Sequence, residues 1–143
     1  MGVVQRQQIR EILLDRMYEI SKESFLWIPL PVSGYLARVI ADNILAPLPE
    51  DLSRLITMLH AQIPSARLKR YSHLQHMGDT IVYFHEFWGI PSCVATRGHA
   101  QTYYDDAARI GKHLKEPEAP ILEKIAEDLP EYEEVLRKLR RVA

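Results

Sequence analysis

The chain has 143 residues, 47% hydrophobic and 26% charged, a balance that fits one soluble globular core and excludes intrinsic disorder. Its formal charge of −1 supplies no field to draw a phosphate backbone or an anionic lipid surface, and no apolar run reaches the roughly 20 residues that a bilayer-crossing helix needs. Neither nucleic acid nor membrane is therefore an expected partner.

Met1 leads into the polar "VVQRQQIRE" rather than an apolar signal-peptide core, and the lone Cys93 has no internal disulfide partner, so a cytoplasmic location is expected. Proline and glycine divide the rest into segments of helical periodicity, with no stretch alternating strictly enough for a strand. The expectation is an all-α protein: one compact domain over residues 1–143, a bundle of six or seven helices.

From about Val4 to Phe25, Ile9, Leu13, Met17 and Ile20 recur at three- and four-residue steps and share one face. In "FLWIPLPVSG", Pro29 and Pro31 each push the preceding residue toward extended backbone, which predicts an ordered apolar connector. Phe25, Trp27 and Ile28 there either cover the end of the bundle or present an apolar anchor to a second chain. "GYLARVIADNILAP" carries Tyr35, Leu36, Val39, Ile40 and Ile44 on a broad stripe ending at Pro47. "PLPEDLSRLITMLHAQIP" opens with acidic residues suited to a helix start and buries Leu52, Leu55, Ile56, Leu59 and Ile63.

"RYSHLQHMGDTIVYFHEFWGIP" lies on a fourth helix, from near Ser65 to Gly89. On it Leu74, Met77, Ile81, Phe84 and Trp88 form an apolar ridge, flanked by His73, His76, Thr80, Tyr83 and Phe87. Asp79, Val82 and Glu86 fall on the remaining side, and the three histidines of this helix do not converge. A metal centre needs three or more ligands aimed at one point. His73 and His76 supply at most two, so His60, His99, His113 or a carboxylate would have to complete the set. Neither Glu-x-x-His nor His-Glu-x-x-His is present to strengthen that reading; polar residues rimming a core are the leading explanation of the pattern.

Cys93, in the loop "GIPSCVATRG", is a reactive thiol if His99 or Arg97 lies beside it and an inert small hydrophobe if not. The fifth helix, about Gly98 to Leu114, has a face of Ala100, Tyr103, Ala107 and Gly111 on which another helix can approach closely. Tyr104, Asp105 and Asp106 offer acid–base groups, or else a solvated face with Arg109 as an (i, i+4) partner. In the tail Ile121, Ile125, Leu129, Tyr132, Leu136 and Leu139 stay in phase, with Pro130 expected to kink or divide the helix. Gly-rich phosphate loops, Gly-x-Ser-x-Gly elbows, Cys-x-x-Cys pairs and basic aromatic-interleaved helices are all missing, which removes support for common enzyme classes.

At Gly78-Asp79-Thr80, Tyr83, Phe87-Trp88, then Tyr103-Tyr104 and Gly111, the chain resembles an uncharacterised group of small bacterial all-helical proteins, with "GYLARVIADN" similar to an earlier helix of the group. The resemblance spans roughly residues 30–140. It implies a helical bacterial cytosolic protein and a shared polar cluster of Asp79, Tyr83, Tyr103 and Tyr104 between helices four and five, and it supplies no reaction; no cofactor is expected. Such a cluster is either functional or a buried network that fixes packing.

Two functional expectations follow. The first is a non-enzymatic module that self-associates or binds another protein through Phe25 and Trp27 or through Phe87 and Trp88. The second is a small-ligand or metal-binding protein, an enzyme included, with a pocket between helices four and five lined by His73, His76, Thr80, Tyr83 and Tyr104.

Overall fold

Six α-helices make up the computed structural model, which describes residues 3–142: α1 (Val3–Glu23), α2 (Leu30–Asn43), α3 (Leu52–Ala61), α4 (Arg67–Ile81), α5 (Arg97–His113) and α6 (Ala119–Val142). Residues 1, 2 and 143 of the expected domain lie outside the described residues. No strand occurs among those described, and no helix there is long and apolar enough to cross a membrane.

Local chemistry sets most of the boundaries. Asp51 caps α3 by accepting a 3.1 Å hydrogen bond from the Arg54 backbone N–H, which satisfies one of the donors a helix start leaves orphaned. Thr96 and the side chain of His99 are joined by a 2.7 Å hydrogen bond at the start of α5. The predicted connector before α2 is shorter than expected. Leu30 to Ser33 are already helical, because Pro31 falls in the first turn, where its missing N–H breaks no hydrogen bond.

Helix α4 continues past Ile81 as a π-helical turn, Val82–Phe87. Its i→i+5 bonding shifts the side-chain register, and this corrects three expectations. Val82 and Glu86, expected on the side away from the apolar ridge, are buried, while Trp88, expected on the ridge, stands 37% exposed. Phe87, an expected interface residue, is wholly buried, stacked on Tyr83 at 5.8 Å. Gly89 then takes φ +73°, a conformation that suits glycine, and ends the segment. Pro130 lies inside an uninterrupted α6, exposed, between the buried Leu129 and Tyr132.

Helix α5 packs between α4 and α6, α6 also meets the π-helical turn that extends α4, α1 lies against α2 and α6, and α3 rests mainly on α4. The predicted small-residue face of α5 does bring neighbours close. A Cβ at Gly111 would stand 2.5 Å from the Tyr71 ring, and one at Gly78 of α4 would stand 2.7 Å from the ring of Tyr104. These two contacts set α4 and α5 close enough for the Tyr104 hydroxyl to reach Asp79.

Candidate functional site

Asp79 is in the last turn of α4, half-buried, with its carboxyl reaching α2 and α5. The hydroxyls of Tyr35 (α2) and Tyr104 (α5) both donate to its Oδ1, each at 2.7 Å. Gln75, four residues earlier on α4, donates from Nε2 to the Tyr35 hydroxyl at 2.9 Å and to Glu118 Oε2 at 3.1 Å. Glu118 accepts a bidentate pair from Arg38 at 3.2 and 2.9 Å, and the Arg38 guanidinium carbon lies 4.9 Å from the centre of the Tyr35 ring. One chain of contacts thus runs Arg38–Glu118–Gln75–Tyr35–Asp79–Tyr104.

The electrostatics follow from this enclosure. Burial pushes the Asp79 carboxyl up to about 7, partly offset by the hydrogen bonds from Tyr104 and Tyr35 and by the charge of Arg38. Burial, and then the neighbouring Asp79, push the Tyr35 and Tyr104 hydroxyls well above their usual range, so both remain protonated donors. Hydrogen bonding to Glu118 holds Arg38 charged.

The other expected site residues are dispersed. Tyr103 turns away from Asp79 and lies 3.0 Å from His60 Nδ1. Tyr83 belongs to an aromatic group with Phe84, Phe87 and Trp88. His73 Nε2 lies 2.7 Å from the Leu59 carbonyl oxygen, linking α4 to α3. Of the four residues expected to cluster, only Asp79 and Tyr104 share a hydrogen bond, because one turn of a helix cannot aim neighbouring tyrosines at one point.

The expected pocket between α4 and α5 is closed at Gly78 by the Tyr104 ring. His76 and Thr80 line instead a cleft toward α2, with Asp79 beside them. Among the described residues no three His, Cys, Asp or Glu side chains are grouped to hold a metal ion. Asp105 pairs with Arg109 at 2.7 Å, and Cys93 is exposed.

Tyr35, Gln75, Arg38 and Glu118, none of them a site candidate by sequence, complete the site. Tyr35 reads as one more apolar position of the α2 stripe, and Gln75 as an unremarked polar residue; only the convergence of α2 on α4 reveals them. Glu86, on the helix side away from the apolar ridge by its spacing, is likewise enclosed. It is 3% exposed, accepts from His85 Nδ1 at 3.0 Å, and burial raises its pKa. No protein-family model, curated protein or solved structure matches the chain.

Proposed function

We propose that this protein is a helical self-association module whose two copies meet through the surface around Phe25 and Trp27. The supporting observation is that Phe25 is 98% and Trp27 78% exposed, and that Leu26 and Trp27, the two residues that follow Phe25, line a largely apolar groove. That groove, about 410 Å³, is lined by Leu14, Tyr18, Leu26, Trp27, Ile28 and Leu30. Knob and groove lie side by side on one surface, which is the geometry a twofold dimer requires: the same patch on each copy, with each Phe25 entering the other's groove.

Magnitudes favour the reading. Aromatic side chains bury roughly 150–250 Å² each, so Tyr18, Phe25 and Trp27 together supply about half of the ~800 Å² that a standard interface takes from each partner. Leu30, also well exposed, extends the patch. With Phe87 in the core, the alternative surface at the other aromatic end keeps only the edge of Trp88.

Sedimentation equilibrium on the full chain tests the proposal. A dimer is expected, and Phe25→Ser with Trp27→Ser should convert it to a monomer of unchanged helicity. A strict monomer at high micromolar concentration, or a dimer indifferent to both substitutions, refutes it.

A further inference from the structure

The cleft between the C-terminal half of α2 and the middle of α4 is independent of the self-association surface. Its volume is about 440 Å³, and Arg38, Asp42, Asn43, His76, Asp79 and Thr80 line it. That size is within the roughly 300–1,000 Å³ that accommodates a small organic molecule.

Asp79 forms one polar wall of it. Oδ1 is held by two tyrosine hydroxyls, whereas Oδ2 accepts no hydrogen bond from the protein. No buried side-chain polar atom among the described residues lacks a partner, so Oδ2 keeps its access to the cleft that Asp79 lines. A carboxyl group sunk in protein, with one oxygen pinned and the other presented to a cavity, is an acceptor awaiting a donor.

The surrounding groups have the same character. Asn43 spends an N–H on the Val39 carbonyl at 2.7 Å, which leaves its own side-chain carbonyl free. Thr80 spends its O–H on the His76 carbonyl at 2.7 Å and keeps its lone pairs. The last turn of α2 contains Asp42 and no basic residue, so the negative end of the helix dipole is uncompensated there. Arg38 is committed to Glu118 through both terminal nitrogens. Burial, with the neighbouring His73, lowers the pKa of His76 and keeps it neutral near pH 7. Arg6 and Arg10 of α1 line an adjoining depression rather than this cleft, so the cleft's one guanidinium is that of Arg38, already engaged by Glu118.

The geometry points to a binding site for a small organic cation with at least two N–H donors, an ammonium or amidinium group, which places one donor on Asp79 Oδ2 and another on the Asn43 side-chain carbonyl. Charge-assisted hydrogen bonds of this type are the stronger class, and the cleft has unspent acceptors where its charged donors are already engaged.

An amide-resolved NMR titration of the full chain with benzamidine and n-butylammonium, against benzyl alcohol and butyrate as neutral and anionic controls, tests the assignment. Both cations should give saturable shifts at Asn43, His76 and Thr80, and the controls should give none. Asp79→Asn, which keeps an oxygen for Tyr35 and Tyr104, should weaken cation binding by about tenfold or more. Should that variant not fold, Asn43→Ala, at the edge of the cleft, should weaken binding several-fold. The inference is overturned by an absence of saturable shifts with either cation up to about 50 mM, by butyrate binding as well as the cations, or by unchanged affinity in the variant that folds.

Discussion

Tyr35 and Tyr104 meet edge to face, ring centroids 6.3 Å apart at 81°, with their hydroxyls converging on the same oxygen of Asp79. Three helices are thereby tied at one atom. Removing one hydroxyl leaves Oδ1 a remaining donor, so Tyr35→Phe and Tyr104→Phe should each destabilise by about 1–3 kcal/mol. Removing both strands a buried acceptor, so the double variant should lose more than the sum. Urea unfolding followed by circular dichroism measures this, and strict additivity would show that the two bonds are not coupled.

Asp79 also makes stability depend on pH. Its carboxyl titrates near 3.8 when unperturbed and near 7 in the fold, so the folded state binds the proton more tightly. The resulting stabilisation is complete below about pH 4, declines as pH rises to about 7, and is absent above that. Asp79→Asn cannot ionise. Relative to wild type, it should gain a few kcal/mol in stability between pH 4 and pH 7 and be at least as stable as wild type at pH 8. Comparing unfolding free energies of the two proteins isolates Asp79 from Glu86, whose raised pKa acts in the same direction in both. A difference that stays flat across this range would mean that Asp79 is ionised without penalty.

Gly78 offers a test in which two opposed effects have different sizes. Alanine in a helix interior is favoured over glycine by about 1 kcal/mol, but a Cβ here would stand 2.7–2.8 Å from three atoms of the Tyr104 ring. That ring is wholly buried and anchored by its hydroxyl, so it has nowhere to retreat. Overpacking of this kind costs about 1–3 kcal/mol. Gly78→Ala should therefore be net destabilising, and it should displace the Tyr104 hydroxyl from Asp79, measurable as a further upward shift of the Asp79 titration.

The helices of this fold were legible because their buried faces repeat at helical spacing. Leu13, Met17 and Ile20 in α1, Leu36 and Ile40 in α2, and Leu129, Tyr132, Leu136 and Leu139 in α6 are all buried as the pattern requires. The site was half legible. Asp79 and Tyr104 stand out by residue type, but Tyr35 acts through its hydroxyl at a position where its ring alone satisfies the pattern. The π-helical turn left no mark in composition. It inserts a register shift within an apolar, aromatic run, and extrapolating regular spacing across it misplaces Glu86, Phe87 and Trp88 together. Pro31 shows the converse: proline signals a break by default, yet in a first turn it is compatible with the helix.

Glu86 and His85 form the second buried ionisable contact. Glu86 is almost fully enclosed and its hydrogen bond from His85 is 3.0 Å long, so His85→Ala leaves a buried carboxyl without that donor. A loss of about 1–3 kcal/mol is expected, and Glu86→Gln in the same background should recover part of it by removing the charge. Thermal unfolding of the three variants decides this. If His85→Ala were neutral, Glu86 would be protonated and satisfied without the histidine.

Phe25 and Lys115 both adopt left-handed backbone, φ 54° and 57°, immediately after α1 and α5. Each ends its helix the same way: the following N–H returns to the carbonyl five residues earlier, Leu26 to Ser21 at 2.9 Å and Glu116 to Gly111 at 2.8 Å. Glycine is the usual occupant of this position, since a side chain there costs roughly 1–2 kcal/mol. Phe25 bears that cost while almost fully exposed, so nothing it touches within the chain offsets it. Phe25→Gly should therefore leave the monomer fold as stable or more stable, by up to about 1 kcal/mol, while weakening the dimer. Lys115→Gly should bring the same relief of strain with no effect on association. Sedimentation and unfolding measured on both variants separate the two effects: equal dimer strength in Phe25→Gly and Lys115→Gly would mean that the ring of Phe25 takes no part in the contact between copies.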